Sequence, residues 1–292
     1  MGDRLLSTVN HLSLCAGIGG IDLGLRRVVR GLRSVAYVER EAFAAAHLVA
    51  AMEAGRLDPA PVYPDLHRFP WEQYRGLVDI VSGGFPCQPF SQAGKRNGVD
   101  DPRHLWPIIR DGLERIDAPV VFFENVEGIT TAKSPGFECV LHHVLSDLEG
   151  LDYVATAGRF TAGEVGAPHR RRRWFVLAVR DPDSHGEPDG SLHAEAPRMR
   201  GDMADRNLEG LEGWIEPVVE CSDEWPAGPG CPQGSNEPPR TTQPGLGRDA
   251  DGVPGGLDPA RDRVDRLRAL GNAVVPACAS LAFVELWKEL VR

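Results

Sequence analysis

The stretch LSLCAGIGG, residues 12–20, runs from an apolar segment into closely spaced glycines, and the helical spacing of Leu23 and Val28 follows it. Glycines permit a tight turn and the close approach of a ligand, and a helix N-terminus attracts negative groups. Glu39 ends the next apolar segment after Gly19, where a carboxylate can bind ribose hydroxyls. Strand, turn, helix and acidic residue together predict a site for a nucleotide-like cofactor. NAD and S-adenosylmethionine both fit this pattern.

Short apolar segments alternate with helical patterns from the N-terminus to position 180. The predicted strands are residues 11–15, 34–39, 77–82, 119–123, 153–157 and 174–179. The predicted helices between them are residues 20–32, 41–55, 105–116 and 137–151. Such alternation predicts a parallel sheet covered on both faces, in an α/β doubly wound, Rossmann-like fold. A last amphipathic helix is predicted over residues 276–290, and we expect it to pack back onto this sheet.

Length and composition limit the classes of protein to which this chain can belong. The 292 residues suffice for one large domain, or for one domain with an insertion. No run of eighteen apolar residues occurs, so we expect no membrane-spanning helix, and the N-terminus shows no secretory signal. The six cysteines are scattered without a CxxC pair, which argues against a disulfide framework and a zinc ribbon and favours a reducing cytosol.

Charge and composition divide the chain into three regions. The stretch 181–258 holds 13 Gly and 11 Pro, with 17 acidic and only 5 basic side chains. A loose insertion and a small, loop-rich recognition module both fit this stretch. The rest of the chain has a balance of +2, so the net charge of -10 does not exclude nucleic acid. We therefore predict a catalytic and cofactor-binding domain over residues 1–180, a recognition region over 181–258, and a C-terminal segment, 259–292, that returns to the first domain.

Three further segments carry candidate chemistry. In GGFPCQPFS, residues 83–91, Cys87 lies between two prolines after a predicted strand, where doubly wound folds bind ligands. This cysteine is a candidate nucleophile, although a buried structural thiol fits the same residue. Glu124 follows four apolar residues, and burial there would raise its pKa and let it hold a proton. Arginines 170–173 precede another strand and could bind a carbonyl oxygen or a phosphate, the alternative being a solvated basic patch.

Five motifs, in order, resemble those of the DNA (cytosine-5)-methyltransferase family of prokaryotes and phages. The resemblance spans residues 11–179 and 264–276. Its motifs are LCAGIGGIDLG (14–24), GGFPCQPFS (83–91), FENVEG (123–128), PHRRRRWFV (168–176) and ALGNAVVP (269–276).

The resemblance implies a reaction and a role for each residue of the catalytic site. By analogy with the family, Cys87 adds to carbon 6 of cytosine while Glu124 protonates ring nitrogen 3, so that carbon 5 accepts a methyl group from S-adenosylmethionine. Arg173 would hold the cytosine carbonyl and Arg171 would support the site. Because the reacting face is hidden in duplex DNA, the base must be flipped out of the stack. The loop residues Ser91, Gln92, Lys95 and Arg96 would contact the DNA.

The resemblance also assigns a cofactor pocket, in which the glycines hold the methionine side, Glu39 the ribose and Asp65 the adenine. The implied cofactor residues are Cys15, Ala16, Gly17, Gly19, Gly20, Glu39, Asp65, Leu66, Pro86, Leu105, Asn272 and Val274. The implied partners are double-stranded DNA and a cognate restriction endonuclease, for a cytoplasmic monomer with no metal ion. A tRNA cytosine-5 methyltransferase and a non-catalytic, cofactor-binding relative are the alternatives. A nicotinamide oxidoreductase is set aside because the sequence offers no site for hydride transfer.

Overall fold

The computed structural model describes residues 8–86, 105–181 and 263–290, and these form a mixed seven-stranded sheet between helices. The strands are β1 (Val9–Leu14), β2 (Leu32–Val38), β3 (Val62–Tyr63), β4 (Ile80–Gly83), β5 (Val120–Val126), β6 (Tyr153–Thr161) and β7 (Arg172–Arg180). The helices are α1 (Gly20–Val28), α2 (Ala42–Glu53), α3 (Trp106–Ile116), α4 (Val140–Glu149), α5 (Arg263–Asn272) and α6 (Pro276–Leu290).

The strand order of the sheet is β3-β2-β1-β4-β5-β7-β6. The prediction of an all-parallel sheet is wrong for β7, the last strand in the sequence. Strands β1 to β5 pair in parallel, whereas β7 runs antiparallel to both of its neighbours, β5 and β6. Only ten residues join β6 to β7, which is too short for the helical crossover that two parallel strands need. The reversed strand brings its first residues, from the arginine run, to the edge where β5 ends.

Both faces of the sheet are covered, as the doubly wound prediction requires. Alternate side chains of β1 point to opposite faces, so that Leu12 and Leu14 pack with α3 and α4 while Val9 packs with α1 and α6. The central strands β1, β4 and β5 are therefore buried on both faces, which accounts for their continuous apolar runs, whereas the edge strand β6 is mostly half-buried.

The C-terminal helix α6 packs directly against α1. A Cβ atom on Gly24 would lie 2.6 Å from the carbonyl oxygen of Pro276, and Ser280 Oγ donates a 2.8 Å hydrogen bond to the carbonyl oxygen of Gly24. By length and composition alone, the stretch Asp265–Leu290 could cross a membrane. However, Phe283 and Trp287 are buried in the same cluster as α1, which is typical of a core helix.

The observed elements differ from the predicted ones mainly at their ends. Helix α1 stops at Val28 rather than continuing to residue 32, because β2 already begins at Leu32. The two-residue strand β3 and helix α5 were not predicted. Strand β3 is too short to show a period of two, and α5 carries many polar residues on a short helix, so neither has a strong apolar pattern.

A buried polar cluster lies between β1 and α1. His11 is fully buried, and its ring nitrogens lie 3.0 Å from Ser34 Oγ and 2.8 Å from Ser82 Oγ. Asp22, in the first turn of α1, lies 3.7 Å from the same ring, and neither of its carboxylate oxygens has an aligned hydrogen-bond partner among the described residues. Burial lowers the pKa of His11 to about 3 and raises the pKa of Asp22 to about 6, although the nearby Ser13 side chain opposes the latter rise. At neutral pH the histidine is thus neutral and the carboxylate is an unfavourable buried charge.

Replacing Asp22 with asparagine is expected to stabilise the protein at pH 8. Because the folded-state pKa of Asp22, about 6, exceeds its ordinary value of 3.8, the cost of ionising it grows as the pH rises between those values and is constant above them. A tenfold change in an acid dissociation constant corresponds to about 1.4 kcal/mol, so we expect a gain of about 1–3 kcal/mol at pH 8 that vanishes near pH 4. Denaturant unfolding of both proteins from pH 4 to 8 measures it. His11 is present in both and cancels in the difference, and an asparagine variant that is less stable at pH 8 would contradict the expectation.

Candidate active site

The carboxyl ends of β4 and β5 lie side by side and bring together two of the motifs. Residues Gly83 and Phe123 pair in the parallel register, so Gly84 and Glu124 are neighbours beyond them. A Cβ atom on Gly84 would lie 3.1 Å from Glu124 Oε2, which leaves little room for any side chain there. The segment that leads to Cys87 therefore starts beside the carboxylate of Glu124.

Glu124 forms an ion pair with Arg173 from the reversed strand. The Nε atom of Arg173 lies 2.7 Å from Glu124 Oε1, at an angle that does not make an aligned hydrogen bond. The pairing of Val126 with Arg173 in the antiparallel register sets this contact. A parallel β7 would have placed the arginine run at the opposite edge of the sheet, so the pair depends on the strand reversal.

Near neutral pH, Glu124 is present in both its protonated and its ionised form. Its side chain is only 8% exposed, and burial raises its pKa to about 7 even though the guanidinium groups of Arg173 and Arg171 oppose that rise. A carboxyl group with this pKa can both donate and accept a proton under physiological conditions. This pKa is compatible with the proton-donor role of Glu124, which stays a prediction.

Arg171 connects the site to the C-terminal segment. Its Nη1 donates a 2.7 Å hydrogen bond to the carbonyl oxygen of Gly271, within the ALGNAVVP motif. Burial and the neighbouring charge of Arg173 lower the pKa of Arg171. Its Nε and Nη2 atoms are buried and have no hydrogen-bond partner among the described residues.

Asn125 is a residue of the site that sequence reasoning missed. It is 4% exposed, and its Nδ2 donates a 2.9 Å hydrogen bond to the carbonyl oxygen of Phe85, while its Oδ1 accepts one from the Val126 N–H group. This side chain ties the end of β5 to the segment that leads to Cys87. An amide next to a buried glutamate at a strand end was the signal for it.

The glycine turn has the backbone conformation of a tight, open loop. Positive φ angles occur at Cys15 (48°), Gly17 (57°) and Gly19 (84°), and such angles favour glycine. A Cβ atom on Gly17 would meet no atom of the described residues within 4 Å, so there is space beside Gly17. Burial and the charge of Glu39 raise the pKa of the Cys15 thiol to about 12, so the thiol stays neutral. Ala16, in the same turn, is partly buried.

Glu39 holds this turn from the end of β2. Its Oε2 accepts a 2.7 Å hydrogen bond from the Gly17 N–H group, and its Oε1 accepts one of the same length from the Glu41 N–H group. A carboxylate oxygen has two lone pairs, so each oxygen can still accept a hydrogen bond from a hydroxyl group. The carboxylate therefore fits ribose, and the N-terminus of α1 fits the carboxylate of a methionine moiety. The residues present fit S-adenosylmethionine.

The terminal motif closes the glycine turn from the far end of the chain. A Cβ atom on Gly20 would overlap with the carbonyl oxygen of Val274, so α1 and this motif are in direct contact. Asn272, the last residue of α5, is exposed two residues earlier. The structure thus brings Gly20 and Val274 together, although 254 positions separate them in the sequence.

Four predicted cofactor residues take no part in the contacts described above. Asp65 is partly exposed and caps a short helical turn, accepting a 3.0 Å hydrogen bond from the His67 N–H group. Leu66 is buried in the core, Leu105 is half-buried against that core, and Pro86 is exposed at the last described position before Cys87. Their cofactor roles, like those of the other predicted cofactor residues, stay predictions.

Several predicted site residues lie outside the described part of the chain. They are the proposed nucleophile Cys87 and the proposed DNA contacts Ser91, Gln92, Lys95 and Arg96. Nearly all of the predicted recognition region, residues 182–258, also lies there.

The glycine turn, the carboxylate at the end of β2 and the reversed strand β7 define a Rossmann-like fold of the S-adenosylmethionine-dependent methyltransferases. A family profile described as C-5 cytosine-specific DNA methylase matches residues 9–208. The chain belongs to this family.

Curated relatives share part of their length with the chain. The type II methyltransferase M.NgoMIV of Neisseria gonorrhoeae is 31% identical over 208 residues, which are 70% of this chain and 64% of the relative. M.NaeI of Lentzea aerocolonigenes is 29% identical over 72% of this chain and 50% of its own length. Among solved structures, a DNMT2 mutant of Spodoptera frugiperda is 20% identical, with a TM-score of 0.49 over 65% of this chain and 56% of its own. The chain thus spans less than two thirds of each of these relatives.

Proposed function

We propose that this protein transfers a methyl group from S-adenosylmethionine to carbon 5 of cytosine in a specific sequence of double-stranded DNA. The observation that carries the proposal is the buried ion pair of Glu124 and Arg173, which lies beside the start of the cysteine-containing segment. Family membership supports the same reaction.

The chain's own side chains would carry out the covalent and proton-transfer steps. The Cys87 thiolate forms a bond to carbon 6 of the flipped cytosine, and the electrons of the 5,6 double bond move to carbon 5 while Glu124 gives its proton to nitrogen 3. Arg173 donates hydrogen bonds to the cytosine carbonyl oxygen. The sulfonium of S-adenosylmethionine supplies an electrophilic methyl group to carbon 5. A water molecule then takes the carbon 5 proton, and the electrons of that C–H bond restore the 5,6 double bond as Cys87 leaves as a thiolate. Glu124 regains its proton from nitrogen 3, and the neutral thioether S-adenosylhomocysteine is the other product.

The substrate follows from the family and from the division of the chain. The family description names DNA, and the two curated relatives are named type II methyltransferases. We propose that residues 181–258 read the DNA sequence and that residues 259–292 complete the cofactor domain. We further propose a monomer that acts in the cytoplasm, with a cognate restriction endonuclease as its partner.

Methyl transfer from labelled S-adenosylmethionine tests the proposal. Unmethylated genomic DNA and unmodified tRNA are incubated separately with the protein, beside a Cys87→Ala sample that controls for contaminating methyltransferases. Bisulfite sequencing of the DNA should show methylcytosine within one short motif. Label in tRNA alone would establish the tRNA enzyme, and S-adenosylmethionine binding without transfer to either substrate would indicate the non-catalytic relative.

The pH dependence of the reaction should reflect Glu124. Because the protonated carboxyl group is the donor and its pKa is about 7, the ratio of kcat/KM for DNA of the wild type to that of a Glu124→Gln variant is expected to fall as the pH rises above that value. The ionisation of Cys87 is common to both proteins and cancels in this ratio. Well above the pKa, the fall should be about tenfold per pH unit. Initial rates of both proteins, measured from pH 6 to 9, follow this fall. If kcat/KM of the Glu124→Gln variant falls with pH in the same way as that of the wild type, the ratio stays constant and the fall belongs to the titration of another group.

A further inference from the structure

Phe85 is the last buried residue before the segment that contains Cys87, and three groups fix it. Its side chain is 4% exposed, and its ring centroid lies 5.4 Å from that of Trp106 and 5.7 Å from that of Phe123. Its carbonyl oxygen accepts the hydrogen bond from Asn125. Cys87 is only two residues farther along the chain, so the position of Phe85 sets where that segment starts.

Trp106 is the first residue of α3, just after the same segment. It is 3% exposed, and its ring also contacts Phe123 edge-on at 5.9 Å. The contact between Phe85 and Trp106 thus joins the two described ends that flank residues 87–104. Aromatic pairs can adopt either offset-stacked or edge-to-face arrangements, so a directional hydrogen bond to Trp106 would further fix this junction.

That constraint comes from Asp147 on α4. Its Oδ2 accepts a 2.7 Å hydrogen bond from the indole Nε1 of Trp106, and a charged acceptor makes such a bond short and strong. The same oxygen lies 3.2 Å from His143 Nε2, and the other ring nitrogen of His143 lies 2.8 Å from Ser134 Oγ. Asp147 is therefore itself held in place.

The hydrogen-bond network of Ser134, His143 and Asp147 has a structural role rather than a catalytic one. Ser134 is 5% exposed and its hydroxyl is already paired with His143 Nδ1, while Asp147 Oδ2 already accepts the hydrogen bond from the indole N–H group of Trp106. Within the described residues, its connection toward the active site runs through Trp106 to Phe85.

We propose that Asp147 and Trp106 are positioning residues that hold Phe85, and through it the start of the Cys87 segment, beside Glu124. The proposal rests on the proposed function, because it gives Cys87 its catalytic role. Under this proposal, a residue of helix α4, on the outer layer of the fold, influences catalysis without contacting the substrate.

Single-turnover kinetics with DNA test the proposal. Trp106→Phe keeps a ring but removes the N–H donor, and Asp147→Ala removes the acceptor. Each is expected to lower the methyl-transfer rate about tenfold, as displacements of reacting groups do, while the Kd for S-adenosylmethionine stays within about twofold. Asp147→Asn retains an acceptor oxygen and is expected to restore most of the rate. In the double variant, Asp147→Ala should add no further loss to Trp106→Phe, because both remove one interaction.

Tyr153→Phe is the matched control. It also removes one buried aromatic donor, whose 2.6 Å hydrogen bond to the carbonyl oxygen of Ala118 lies at the opposite edge of the sheet. An equal rate loss in this control, or additive losses in the double variant, would overturn the proposal.

A readout independent of methyl transfer separates this proposal from the proposed function. The rate at which iodoacetamide modifies Cys87, followed by mass spectrometry of its peptide, should rise about threefold or more in Trp106→Phe and Asp147→Ala and stay unchanged in Tyr153→Phe. An inactive wild-type protein that shows this pattern would refute the proposed function while leaving the positioning role intact. Unchanged Cys87 reactivity in all variants would refute the positioning role.

Discussion

Replacing Glu124 with glutamine is expected to lower the single-turnover rate of methyl transfer to DNA by about a thousandfold, within the range that general acids contribute. Glutamine has the same shape and can still donate a hydrogen bond, but it cannot give up a proton to nitrogen 3. Carbon 5 would then gain too little electron density to take the methyl group. The Kd for S-adenosylmethionine should remain close to that of the wild type, because Glu39 and the glycine turn lie at the ends of β2 and β1.

Glu127→Gln is the matched control in the same FENVEG motif. Glu127 is half-exposed and pairs with Arg172 and Arg159, at 3.5 and 3.8 Å, outside the buried pair. Its replacement should leave the rate within about twofold, because exposed ion pairs contribute little. The thermal stability of Glu124→Gln should not fall below that of the wild type at pH 8, since burial already penalises the ionised carboxyl group. A Glu124→Gln rate within about tenfold of the wild type would rule out Glu124 as the proton donor.

Local pattern predicted most of the sheet because parallel, doubly covered strands are continuous apolar runs. The same property hid the direction of β7, since apolar runs look alike in either direction. The predicted strands end at 157 and begin at 174, which leaves sixteen residues, enough for a crossover; only the longer observed strands, which end at Thr161 and begin at Arg172, shorten the connection to ten residues. Strand β3 has only two residues, Val62 and Tyr63, and is defined by pairing with β2 rather than by its own sequence.

The candidate site divides in the same way into local and long-range parts. Glu39 and Glu124 could be predicted because each follows an apolar strand at the edge where ligands bind. The hydrogen bonds from Arg171 to Gly271 and from Trp106 to Asp147 join residues 100 and 41 positions apart. No spacing rule links such positions, so these contacts emerge only when the tertiary packing is known.

Replacing Gly20 with alanine is expected to weaken S-adenosylmethionine binding by at least about a hundredfold, because it displaces the helix start that forms the site. An alanine Cβ would overlap with the carbonyl oxygen of Val274, which is backbone and cannot rotate away. Helix α1 cannot shift to relieve the overlap, since Gly24, one turn later, is in similarly tight contact with Pro276. The normal gain of about 0.5–1 kcal/mol for alanine over glycine in a helix is thus reversed, and the melting temperature should fall.

Isothermal titration of S-adenosylmethionine, together with thermal unfolding, measures both effects. Gly163→Ala is the control, because its Cβ atom would meet only ordinary contacts, at 3.8 Å from Thr161 Oγ1 and 4.0 Å from the carbonyl oxygen of His169. That variant should keep the wild-type affinity and melting temperature. Wild-type affinity in Gly20→Ala would mean that the terminal motif does not complete the cofactor site. Lost affinity with an unchanged melting temperature would instead show that the turn yields locally while the contact between α1 and α6 persists.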